Sequence, residues 1–173
     1  KVALFEPPQE DDTEAGEGDA PWRGKVYDLA HPEKEPTPLV GRRRRRTNIH
    51  RAFSPDGSRL AVASGRSFGR QGDSFIQIWD AKGELVVQGT SPGDITGIVL
   101  SRDGLRMLGL VNKHPERGRS METPNGIGFA VLWDCSGKES KELWATPLSN
   151  SGLYPGNGRA AFAPDGKTLA TAA

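Results

Sequence analysis

One short pattern, written three times, constrains this chain more than anything else in it. The three segments are Phe53-Ser-Pro-Asp-Gly-Ser-Arg-Leu-Ala-Val-Ala-Ser-Gly65, Leu100-Ser-Arg-Asp-Gly-Leu-Arg-Met-Leu-Gly-Leu-Val111 and Phe162-Ala-Pro-Asp-Gly-Lys-Thr-Leu-Ala-Thr-Ala-Ala173. Each reads as an apolar residue, a turn ending in Asp-Gly, a polar pair and an apolar run. The physical content of the unit is a β-hairpin. Proline at the second turn position pre-sets φ near about −65°, aspartate at the third bonds its own backbone, and glycine at the fourth takes positive φ and allows a bulge. Gly57, Gly104 and Gly166 are therefore read as backbone devices. Asp56, Asp103 and Asp165 are read as turn formers rather than catalytic carboxylates.

A second element recurs between these hairpins. It reads Lys25-Val-Tyr-Asp-Leu29, then Phe75-Ile-Gln-Ile-Trp-Asp80, then Phe129-Ala-Val-Leu-Trp-Asp134. These are short β-branched and aromatic runs that end in aromatic-Asp, the signature of strands. A weaker strand follows each, over residues 37–40, 84–89 and 141–146. The unit thus holds four strands, named a, b, c and d here in chain order. Gly at 22 and Pro at 13 in 173 residues fit many short strands and turns better than helices. The aromatic-Asp pairs recur at intervals of 52 and 54 residues.

Trp79-Asp80 and Trp133-Asp134, together with the Asp-Gly hairpins, resemble WD40 repeats over about residues 23–173. That period exceeds the roughly 40–45 residues of a plain WD40 blade, and the excess is assigned to loops. The resemblance implies an all-β fold of propeller blades, each a four-stranded antiparallel sheet. It also implies a buried hydrogen-bonded set of Asp, Ser or Thr, Trp and His in a blade. One blade partly matches: Asp73 lies six residues before Trp79, and Ser64 sits on the matching strand b. The Gly-His that precedes strand a in the family is absent, and Ile127 stands at the aspartate position of the next repeat. Stability is therefore expected to come mainly from sheet packing.

The blades divide as follows. Residues 1–40 hold strands b, c and d of a first blade, with an acidic loop over 6–22. Residues 47–89 form a second blade and 94–146 a third. Residues 157–173 hold strands a and b of a further one. Propellers close with about 4–8 blades, so this chain is expected to form an incomplete ring. Two bare apolar sheet faces of several hundred Å2 each cost on the order of 10 kcal/mol at about 25 cal/mol/Å2. That rivals the ~5–15 kcal/mol stability of a whole domain. The rest of the propeller, from the same protein, a cofolded partner or a symmetric copy, is accordingly expected among the partners. The chain opens at Lys1 without Met, so the native N-terminus is expected to be missing and targeting is unreadable.

A net charge of +1 argues against a bulk nucleic-acid or membrane binder. A single cysteine, Cys135, excludes an intramolecular disulfide and gives a cytoplasmic default. No apolar run reaches the ~20 residues of a membrane span. Function is sought instead on loops held by a rigid scaffold. The b-to-c loops over 65–73 and 112–126 carry Arg66, Arg70, Lys113, His114, Arg117 and Arg119. The resemblance to WD40 repeats implies that the b-to-c and d-to-a loops leave on one face, so the d-to-a segment Arg42, Arg43, Arg44, Arg45 and Arg46 is expected to join them. Three readings of that run stand open: a solvated charge run, neutralisation by the acidic loop, or a site for phosphate, nucleic acid or an acidic protein segment. Interleaved aromatics for base stacking are sparse, with Phe68 the one candidate.

Other motifs carry less. Gly65-Arg-Ser-Phe-Gly69 matches a nucleophile elbow but lacks the following helix. Gly156-Asn-Gly-Arg-Ala-Ala161 precedes a strand, where a dinucleotide site needs a helix N-terminus. His31, His50 and His114 show no metal-ligand spacing, and the acidic loop lacks the spacing of an EF-hand. His50 is read as packed, Cys135 as an inert thiol, and Trp22 and Trp144 as packing residues. The expectation is a non-catalytic scaffold for protein–protein interaction, without catalytic, cofactor or metal residues. The alternatives are an accessory module of a larger enzyme or sensor, and nucleic-acid or phosphate binding through the arginine run.

Overall fold

Side chains alternate between the two faces of a strand, and here the central strands are apolar on both. On one face of the second blade Ala61, Ala63, Ile76 and Ile78 are fully buried; on the other, Leu60, Val62 and Trp79 are at most 3% exposed. A sheet with two buried faces lies between two other sheets. The computed structural model of the protein, which describes residues 1–5, 19–44, 47–66, 73–113, 127–149 and 159–172, has that arrangement.

The first sheet holds β1 (Val2–Phe5), β2 (Asp19–Tyr27) and β3 (Thr37–Arg44). The second holds β4 (Thr47–Phe53), β5 (Arg59–Arg66), β6 (Asp73–Asp80) and β7 (Leu85–Pro92). The third holds β8 (Asp94–Leu100), β9 (Arg106–Lys113), β10 (Ile127–Asp134) and β11 (Lys141–Ser149), and the fourth β12 (Arg159–Phe162) and β13 (Leu169–Ala172). Within each sheet every neighbour is the next strand in sequence and every pairing is antiparallel. Strand β8 packs beside β4 on one side and β12 on the other, so the a strands sit innermost. The described strands form all-β, propeller-like blades in an open arc.

Three apolar layers join the four sheets. Trp22 and Leu39 of the first meet Leu60, Val62 and Trp79 of the second, with the rings of Trp22 and Trp79 edge to face at 5.0 Å. Ile76, Ile78 and Val87 of the second meet Met107, Val111, Val131 and Trp133 of the third. Leu108, Leu110, Ala130 and Leu132 of the third meet Ala160, Phe162 and Leu169 of the fourth. Burying one large apolar side chain contributes about 1.5–3 kcal/mol, so these layers supply most of what holds the sheets together.

One polar device shapes the turns at one end of the sheets. In the a-to-b turns the carboxylates of Asp56, Asp103 and Asp165 accept the N–H two residues on, from Ser58, Leu105 and Lys167. In the c-to-d turns Asp28, Asp80 and Asp134 do the same with Ala30, Lys82 and Ser136. The aspartate of the aromatic-Asp pair is thus a turn cap. Gly57, Gly104 and Gly166 follow in the left-handed region at φ of 71°, 67° and 66°.

Four expectations need correction. Strand β2 begins at Asp19, so the end of the segment taken as an acidic loop over 6–22 is strand; residues 6–18 lie outside the described residues. Strand β3 runs on to Arg44, so Arg42, Arg43 and Arg44 are strand residues rather than a d-to-a loop, because β2 offers ladder partners that far: Pro21, Ala20 and Asp19 pair with them in turn. Asp73 is exposed and Ser64 is buried with its hydroxyl lacking a hydrogen-bond partner, so they do not form the bonded pair of the resembled family. Trp144, taken as a packing residue, is 36% exposed.

The turn glycines generate a stability prediction. A Cβ at Gly57 would meet nothing within 4 Å, whereas one at Gly104 would lie 2.6 Å from Cδ and 2.9 Å from Cβ of Arg59. Gly57→Ala should cost about 1 kcal/mol, the left-handed penalty alone. Gly104→Ala should cost about 2–4 kcal/mol, because Arg59 must also leave its carbonyl partners. Urea midpoints of the two variants check the ordering.

Candidate functional site

The antiparallel order sends β1, β3, β5, β7, β9, β11 and β13 to one rim, where β2, β4, β6, β8, β10 and β12 begin. The chain leaves this rim at Phe5, Arg66, Lys113 and Ser149 and returns at Asp19, Asp73, Ile127 and Arg159. The short Asp-capped turns occupy the opposite rim. The longer connections are thus gathered at one end of the strands.

Among the described residues, two cations at the loop-bearing rim lie over aromatic rings. The guanidinium of Arg42, at the end of β3, lies 5.5 Å from the ring centroid of Phe75 in the next sheet. The ammonium of Lys113, at the end of β9, lies 4.9 Å from the ring of Phe129 beside it. Phe75 and Phe129 hold the same place four residues before Trp79 and Trp133. Such contacts contribute about 0.5–1 kcal/mol at exposed sites and orient the charge more than they stabilise the fold. The backbone N–H of Arg42 donates to Oε1 of Gln77 at 2.8 Å, which ties the basic strand to the second sheet. The β2–β3 register sets Asp19 across from Arg44 in the ladder. Arg66 ends β5. Arg45, Arg46, Arg70, Arg117, Arg119, His114 and Phe68 lie outside the described residues, as does most of the Gly65–Gly69 motif.

Several residues that join the blades escaped the sequence reading. The hydroxyl of Ser74, fully buried, donates to Gly93 O at 2.7 Å and accepts from Ile95 N at 3.1 Å, clasping the crossover between the second and third sheets. Arg59 donates from Nη1 to Cys135 O at 2.8 Å in the third sheet. Gln88 donates its N–H to Lys138 O at 2.9 Å and accepts from Ser140 N at 3.0 Å. A signal existed for Arg59, and for Gln77 described above: arginine recurs two residues after Gly57 and Gly104, and Gln77 interrupts an apolar run. Ser74 had none, since the adjacent Asp73 fitted the resembled pattern.

At the opposite rim a cleft of about 540 Å3 opens between the ends of β4, β8 and β12, lined by Phe53, Pro55, Leu100, Arg102, Phe162 and Pro164 among others. A wider one of about 810 Å3 lies beside the third and fourth sheets, lined by Asp103, Arg106, Asp134, Leu143, Gly166 and Lys167 among others. The aspartates here are committed to turns. Hydrogen bonds from Ser54 and Ser101 hold the carboxyls of Asp56 and Asp103 below the usual range, as the bond from His31 does for Asp28 and the Ser136 N–H for Asp134. Among the described residues no group of three His, Cys, Asp or Glu is arranged to hold a metal ion.

No protein-family model matches the chain, and no curated protein matches it in sequence. Among solved structures it resembles an acylaminoacyl peptidase of Pyrococcus horikoshii at 17% identity and a TM-score of 0.44, over 82% of this chain and 26% of that one. It resembles hydrazine synthase of Kuenenia stuttgartiensis at 15% identity and a TM-score of 0.41, over 86% of this chain and 49% of that one. It resembles the Dos1 propeller at 9% identity and a TM-score of 0.36, over 98% of this chain and 51% of that one. The chain spans about half or less of the length of each.

Two predictions follow from the buried titratable groups. Cys135 is fully buried, and desolvation pushes its thiol up to about 12. Its reaction with a maleimide should therefore proceed only through unfolding and accelerate in step with the unfolded fraction in urea. Burial lowers His50 below its ordinary 6.5. A group depressed in the fold stabilises fully above its unfolded pKa and loses that contribution as pH falls. Urea midpoints should thus decline as pH drops below 6.5, a decline that His50→Gln removes. A second decline, below pH 3.8, comes from the turn aspartates and should persist in that variant.

Proposed function

We propose that this chain is a WD40-type propeller module that binds a protein partner without catalysis, through the loop-bearing rim. The observation that carries this reading is the placement of Arg42, Arg43, Arg44 and Lys113 on the paired ends of strands at the rim from which the long connections depart. Charges on a paired strand keep their spacing, and guanidinium groups form forked contacts with carboxylates. The favoured ligand is an acidic protein segment. Against nucleic acid stands the use of Phe75, whose ring is already taken by Arg42 and is not offered to a base.

A labelled oligo-glutamate peptide and a single-stranded oligonucleotide of equal charge provide the test. The peptide should bind the chain, weaken about tenfold between low and physiological salt, and weaken about tenfold more in the Arg42→Ala, Arg43→Ala, Arg44→Ala triple variant. An oligonucleotide that binds more tightly than the peptide would move the assignment to nucleic acid. Binding of the peptide untouched by the triple variant would remove the rim from the account.

A further inference from the structure

The first, second and third sheets together wall one groove on the outside of the molecule. Strand β3 packs on β5 and β6 of the second sheet. On the face of the second sheet that meets β3, Phe75 pairs with Thr90 and Gln77 with Gln88. Gln88 and Thr90, on the outermost strand β7, are left exposed. The space over them, about 420 Å3, is bounded by Arg42 of the first sheet and by Glu139 in the turn before β11 of the third. That volume suits a few residues of a peptide.

The charge at each boundary is anchored through backbone. At one, the N–H of Arg42 donates to Gln77 and the guanidinium lies over the Phe75 ring. Gln77 is only 5% exposed, and a carboxamide nitrogen carries two N–H donors besides the oxygen used here. At the other, the turn of the third sheet is added to the outer edge of β7. Gln88 bonds Lys138 and Ser140 through its backbone, so Glu139 lies beside it as in a parallel ladder. This close approach requires Gly89, because a Cβ there would run into Oγ of Ser140. Glu139 is exposed, and its carboxylate makes no ion pair or hydrogen bond among the described residues. From β6, which carries Phe75, to the turn at Glu139 is two strand spacings, about 10 Å, which two to four residues of extended chain cover.

We propose that this groove binds a mixed-charge segment of a partner protein, with an acidic and a basic residue two to four positions apart. The carboxylate takes the forked contact of Arg42, and the basic side chain pairs with Glu139. Gln88 and Thr90, whose side chains both donate and accept, bond the backbone between them. The inference rests on the acidic-segment reading of the rim, with which it shares Arg42, and narrows it. A second carboxylate at the far end would lie against Glu139, and repulsion of this kind discriminates between ligands as a new contact does. Uniformly anionic chains, oligo-glutamate and nucleic acid alike, are thereby disfavoured in the groove.

The test uses three labelled peptides in a Gly-Ser background, centred on Glu-Gly-Ser-Lys, Glu-Gly-Ser-Gln and Glu-Gly-Ser-Glu, and reads binding by fluorescence anisotropy. The lysine peptide should bind about fivefold more tightly than the glutamine peptide, with the glutamate peptide weakest. Glu139→Lys should reverse the order of the lysine and glutamate peptides, and Arg42→Ala should weaken all three about tenfold. Glu142→Lys, the same charge change at an exposed position on β11 outside the groove, should leave the order as it is. Urea midpoints confirm that each variant is folded. An order that Glu139→Lys leaves unchanged, while the arginine triple variant still weakens oligo-glutamate, would overturn the groove and spare the rim. Oligo-glutamate binding untouched by the triple variant would remove the rim reading instead. No binding by any of these peptides or by oligo-glutamate would overturn both.

Discussion

Each sheet in this protein is stable because the next one covers it. A strand whose two faces are both apolar has no stable place at the edge of a molecule; it needs a sheet on either side. The second sheet shows the condition met, with Leu60, Val62 and Trp79 covered from one side and Ile76, Ile78 and Val87 from the other. Everything else about the fold, from the inner position of the a strands to the gathering of long connections at one rim, follows from stacking four-stranded units in this way.

Hydrophobic stacking alone would let such sheets slide. The polar ties between them set their registry. Ser74 joins the crossover at Gly93 and Ile95, Gln77 holds Arg42, and Arg59 and Gln88 hold the outer hairpin of the next blade. Most of these ties end on backbone atoms. A backbone atom is present whatever the side chain, which lets loosely repeated sequences preserve a common geometry. The polar set suggested by the resemblance to WD40 repeats, Asp73 with Ser64, is not among them, and the ties that are present do the equivalent work at other positions.

The fold was legible to the extent that its causes are local. Recurring β-branched and aromatic runs marked the strands, and Asp-Gly marked three turns whose glycines do take positive φ. Arg42, Arg43 and Arg44 were misread because charge was equated with loop. A strand accepts any residue whose backbone finds a ladder partner, and β2 extends far enough back to supply one at Asp19. Trp144 was misread because tryptophan is usually buried, a tendency that says nothing about which neighbour does the burying. Of the rim, the sequence marked Arg42 and Lys113 as cations, but not that Phe75 and Phe129 would hold them.

By itself the sequence determined the four-strand unit, the hairpin turns and their capping aspartates. All of these are settled by interactions a few residues apart, which the order of residues displays directly. Tertiary structure alone decided which polar side chains became ties between blades. It also decided why Val87 is sealed while Trp144, at the same place in the next copy, is open to solvent. The physical reason is that burial belongs to a pair of surfaces. The surface opposite Val87 comes from strands some tens of residues away along the chain, and nothing near Val87 in the sequence announces it.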